Sequence, residues 1–126
     1  MRAFGLMLAL ALMAAPANVH AMTVEEFLAK VKALKAKGLF AIGSRDIGML
    51  KTEMKAIGTA YRADIDGARK AGRTPDSCPP PSKGGSAPTL GGKAFFSDLQ
   101  AIPPAQARTT SMKDAFYAIM RKRFPC

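Results

Sequence analysis

An all-α fold, a small bundle of three to four amphipathic helices held by one disulfide, is what this sequence predicts. Apolar residues recur at steps of three and four in successive segments, the period of a helix face. No segment shows the alternation bounded by hairpin turns that marks a strand. Two cysteines, Cys78 and Cys126, stand where a bond between them would tie a loop to the end of the last helix. The 126 residues suit one domain with a modest core.

The first segment reads as a signal peptide. Met1 and Arg2 give a cationic start, Phe4 to Ala15 carries no charge and is too short to span a bilayer, and Val19-His20-Ala21 offers a small-residue cleavage site. Residues 1–21 are therefore expected to be removed, leaving residues 22–126 as a single exported helical domain. An uncleaved anchor or a buried first helix would explain the apolar run alone, but not the order of charge, apolar run and cleavage site. Removal also takes the single histidine, His20. Without it the exported chain has no Ser-His-Asp triad, no Cys-His pair and no His-bearing zinc site. No cofactor is expected.

Thr23 to Lys37 follows as a helix. Thr23 and Glu26 have the spacing of a capping box, Met22 and Phe27 that of a hydrophobic staple, and Gly38 supplies the stop. Val24, Phe27, Leu28, Val31 and Leu34 make its apolar face, and Glu26 is placed to pair with Lys30. Past an apolar link at 39–43, Ser44 caps a second helix that reaches about Lys70. Its apolar positions are Ile47, Leu50, Met54, Ile57, Tyr61, Ile65 and Ala68. Gly58 and Gly67 lie inside it, each costing about 1 kcal/mol relative to Ala unless a close packing contact requires a missing side chain, so a kink or break there would be no surprise.

Residues 71–92 are rich in Pro, Gly and Ser and read as a loop fastened at Cys78. Lys93 to Ile102 is the next helix, with Phe95, Phe96, Leu99 and Ile102 on one face and Pro103-Pro104 ending it. Ser111 and Asp114 open the last helix with box-like spacing. Met112, Ala115, Phe116, Ile119 and Met120 form its stripe, and Phe124-Pro125-Cys126 closes the chain.

An exported chain with an even cysteine count usually pairs them, and here one intramolecular pairing exists. Two free thiols or an intermolecular bridge through Cys126 are the competing readings. Asp64 and Asp66, the nearest approach to a carboxylate pair, diverge by about 200° on a helix and are expected to pair with Arg62, Arg69 or Lys70. Ser44, Ser77 and Ser111 have no histidine to activate them and suit caps or turns. Gly84, Gly85, Gly91 and Gly92 lack the strand and GK[ST] sequence of a P-loop.

With 19 Lys+Arg against 9 Asp+Glu, the net charge is +10 and acidic partners are favoured. Candidate partner-binding residues are Lys30, Lys32, Lys35 and Lys37 on the first helix and Arg121, Lys122 and Arg123 at the end of the last. For each group a solvated face, or cations at the negative end of a helix dipole, is the plainer explanation. Export and the lack of interleaved aromatic residues argue against nucleic acid.

The C-terminal part resembles the Rap/Tai-type family of immunity proteins, which neutralise type VI secretion effectors in the periplasm. The resemblance runs from Cys78-Pro79-Pro80, through a helix with Phe96 and Leu99 ending at Pro103 or Pro104, to Ala115 and the terminal Phe124-Pro125-Cys126. It implies a small helical periplasmic protein, often a homodimer, that binds a cognate secreted effector and blocks it without catalysis. The alternative is a small cationic envelope protein that binds anionic lipid or polymer through the same basic residues.

Overall fold

The computed structural model describes residues 21–38, 42–80 and 91–126. Residues 1–20 of the expected signal peptide and residues 81–90 of the Pro/Gly-rich loop lie outside these residues. Among the described residues the fold is all-α, with no strand and with the expected disulfide, Cys78–Cys126. Five helices are present: α1 (Val24–Lys37), α2 (Arg45–Lys70), α3 (Gly92–Gln100), α4 (Pro104–Ala107) and α5 (Met112–Arg123).

The helix starts follow the local chemistry. Thr23 and Glu26 complete a capping box in both directions, which satisfies backbone N–H groups that the first turn leaves without helical partners. Ser44 Oγ accepts from Asp46 N–H at 3.2 Å, and Ser111 Oγ from Asp114 N–H at 3.1 Å. Gly38 ends α1 with φ 58°, a left-handed conformation that favours glycine.

Two expectations are corrected. First, α2 runs unbroken through Gly58 and Gly67. A Cβ at Gly67 would meet nothing within 4 Å, and one at Gly58 only Arg62 Nη2 at 3.7 Å, so neither glycine answers a close packing contact. The buried stripe of Ile57, Tyr61, Ile65 and Ala68 outweighs their propensity cost. Second, Pro103-Pro104 not only closes α3 but opens α4. Pro104 occupies the first helical position, where its missing N–H would have had no partner, and α4 delivers Ala107 to the core at 5% exposure. The bundle therefore exceeds the expected three to four helices by one short turn.

Helix α1 packs against each of the other four helices. Its N-terminus is bound to that of α5 by a short antiparallel bridge, in which Val24 N–H donates to Thr110 C=O at 3.0 Å and Met112 N–H to Met22 C=O at 2.8 Å. Around this junction Val24, Leu99 and Met112 are fully buried and Ala115 nearly so. A second group, Tyr61, Ile65 and Met120, joins α2 to α5. Phe116 packs against both groups and meets Tyr61 and Phe95 edge to face, at centroid distances of 5.3 and 5.6 Å.

Candidate interaction site

The residues after α2 are clasped to the end of α5 by three separate contacts and back to α2 by a fourth, from Ser77 to Tyr61. The disulfide joins Cys78 to Cys126 with a Cα–Cα distance of 4.8 Å. Beside it, Cys78 N–H donates to Phe124 C=O at 2.8 Å. Ser77, fully buried, shares a hydrogen bond with the Tyr61 hydroxyl, and the Arg121 guanidinium binds both oxygens of Asp76 at 2.9 and 3.1 Å. Burial pushes the Tyr61 phenol above its ordinary range, so it stays protonated and able to donate.

An open groove lies between the end of α3, α4 and one face of α5. Its volume is about 550 Å³, and Ala101, Ile102, Pro103, Ala115, Ala118 and Ile119 make its walls apolar. Asp98, Gln106, Thr110 and Lys122 supply polar atoms. Arg123 fixes Asp98 with two bonds, Nε at 2.5 Å and Nη2 at 3.0 Å. Those bonds hold the Asp98 carboxyl below the usual carboxylate range.

The predicted basic residues fall into two kinds. Lys30 is paired with Asp46 at 3.4 Å across α1 and α2, Arg121 with Asp76 and Arg123 with Asp98. Lys35 stands over the Phe96 ring, 4.5 Å from its centroid. Only Lys32, Lys37 and Lys122 are exposed and take part in no ion pair or ring contact among the described residues. The two predicted groups reach opposite parts of α3, through Phe96 and through Asp98, but do not form one continuous patch of free charge.

The expected pairing of Asp64 with a neighbouring cation is corrected: its carboxylate accepts from Tyr117 Oη at 2.5 Å, which ties α2 to α5. Burial and the adjacent carboxylate together push the Tyr117 phenol far above its usual range. Glu26 serves in the cap, and Lys30 reaches Asp46. Such partners are 16 to 53 positions apart in sequence, which is why helical spacing alone does not reveal them. The Pro-Ala-Gln-Ala run, with proline at a first helical position, is the sequence signal that could have located α4.

The arrangement offers shape and charge for recognition. Among the described residues no group of three or more His, Cys, Asp or Glu side chains converges as a metal site would require. Comparison with protein-family models, curated proteins and solved structures finds no match.

Proposed function

We propose that the chain is an exported, non-catalytic binding protein that neutralises a secreted effector by direct contact, like the Rap/Tai-type immunity proteins it resembles. The observation that carries this reading is the groove whose polar edge is already held in place. Arg123 and Asp98 fix each other, so a partner meets ordered groups and loses less side-chain freedom on binding. Two of the residues behind the resemblance, Pro103 and Ala115, line this groove. Leu99 is a fully buried core residue of α3, and the Cys78 to Cys126 bond secures the end of α5. A disulfide is compatible with an oxidising compartment such as the periplasm.

A second reading, a cationic envelope protein that binds anionic lipid or polymer, is favoured by the exposed and unpaired Lys32, Lys37 and Lys122. Salt separates the two. Binding through scattered exposed charges is lost as ionic strength rises, whereas a packed apolar contact persists. Affinity purification of the tagged protein from the periplasm across a salt series, followed by a growth-protection assay against any secreted protein recovered, tests the proposal. One salt-resistant partner, with protection from its toxicity, is the expected outcome. Recovery of mixed acidic material that salt removes would reject it.

A further inference from the structure

The groove between α3, α4 and α5 is polar at its two ends and apolar between them. On α5 its wall is made by Ala115, Ala118, Ile119 and Lys122, at i, i+3, i+4 and i+7, which places them on one helix face over about 10 Å. Thr110, just before α5, and Gln106 mark one end, where Thr110 N–H donates to Gln106 C=O at 2.9 Å. Asp98 and Lys122 mark the other.

The charges at that second end are unequally committed. Arg123 bonds both oxygens of Asp98, so this carboxylate is already answered. Lys122 lies near enough to reinforce the Asp98 charge, yet it is exposed and forms no hydrogen bond or ion pair among the described residues. A carboxylate from outside the chain would complete it. The main chain of the walls is committed as well. The N–H groups of Ala101, Ile102, Gln106 and Thr110 donate to Ser97, Leu99, Pro103 and Gln106, and Thr110 C=O accepts from Val24 N–H. An extended segment laid here would cover its own backbone groups without a ladder to pair them, whereas a helix satisfies its backbone internally. Small exposed side chains, Ala101 and Ala118, leave room for larger ones from such a helix.

We propose that the groove receives a helix of an acidic partner protein, with aliphatic side chains seated against Ala101, Ala118 and Ile119 and a carboxylate about one turn further along reaching Lys122. The proposal rests on the reading of the chain as a binding protein and states what its groove recognises. A second copy would bring the same net charge of +10 against Lys122 and is disfavoured. A bilayer takes up apolar side chains that project from a helix face, and here they line a depression.

The test is an NMR titration of the isotope-labelled, disulfide-bonded protein with a helical alanine-based peptide bearing leucines at i and i+4 and glutamates at i−3 and i+7, so that a glutamate meets Lys122 in either direction of docking. The same peptide with glutamine for glutamate, and one with its leucines on opposite faces, are the comparisons. Shifts centred on Ala101, Ile102, Ala118 and Lys122 are expected. Ala118→Phe, which fills the groove from an exposed position, should weaken binding about tenfold and keep its helical circular dichroism. Should that variant unfold, the peptide with displaced leucines, expected to bind about tenfold more weakly, carries the same test. Lys122→Gln should weaken the glutamate peptide about threefold and leave the glutamine peptide unchanged, while Lys37→Gln, which removes an exposed cation outside the groove, alters neither. Shifts centred outside the groove, equal binding of the two leucine arrangements, or equal losses in the two lysine variants would overturn the proposal. Groove shifts that follow dilution of the protein alone would overturn it in favour of a second copy, and groove shifts stronger with phosphatidylglycerol vesicles than with the peptide in favour of lipid. If the wild type captures a protective partner and Ala118→Phe captures it equally, the helix site fails while the binding function stands. If the aligned peptide binds as described and no protective partner is captured, the function fails while the site stands.

Discussion

Replacing both cysteines, Cys78→Ala with Cys126→Ala, should lower stability without dismantling the fold. The bond closes a sequence separation of 48. On the chain-entropy relation its removal restores about 14 cal/mol/K to the unfolded chain, or about 4 kcal/mol at 25 °C. Both cysteines are exposed, so the substitutions remove little buried surface and nearly all of this change arises in the unfolded state. For a domain of this size the loss corresponds to a fall of roughly 15–30 °C in Tm. The folded loop keeps its other ties: Cys78 N–H to Phe124 C=O, Ser77 to Tyr61, and Asp76 to Arg121. Urea unfolding should therefore show a lower midpoint and a steeper denaturant dependence, because the unlinked unfolded chain exposes more surface. Hydrogen exchange at residue 78 should stay slower than in a free loop. A loss below about 1 kcal/mol would refute the unfolded-chain argument. Full exposure of the loop in the variant would refute the redundancy of the clasp.

Gly67→Ala should raise stability by about 0.5–1 kcal/mol, since the added methyl group meets nothing and the unfolded chain loses freedom; a lower urea midpoint would contradict this. Leu99→Ala removes a fully buried side chain and should cost about 2–5 kcal/mol, read in the same assay, with a cost below that range showing that the core collapses around the gap. Above about pH 10 the unfolded tyrosines ionise while Tyr61 and Tyr117 hold their protons, so their contribution is present below that pH and is lost as pH rises through the raised folded values. Tyr117→Phe should make the alkaline fall in stability shallower, and an unchanged slope in a base titration of unfolding would remove Tyr117 from the explanation. Asp98 works in the opposite direction: its pairing with Arg123 contributes above the ordinary carboxylate range and is lost as pH falls through its lowered value, so Asp98→Asn should flatten acid unfolding, and an unaltered acid slope would contradict that.

Local chemistry was the most legible part of the sequence. Thr23 with Glu26, Ser44 and Ser111 mark helix starts because a cap depends on residues only a few positions apart. The stripe from Leu50 to Ala68 was legible because burial of one face imposes the helical period. What helical spacing did not reveal was the long-range pairing that decides which cations are free. Nothing near Arg123 in sequence points to Asp98, 25 positions away, and nothing near Tyr117 points to Asp64. Lys30 and Arg121 therefore read as surface charge until their partners are placed.

The central claim, specific recognition of a secreted protein, is tested most directly by affinity purification of the tagged protein from the periplasm as salt is raised. The account predicts a single secreted protein retained at high salt, in a fixed ratio to the bait, whose toxicity the chain relieves. Retention of only lipid or a mixture of acidic material, released as salt rises, would contradict it.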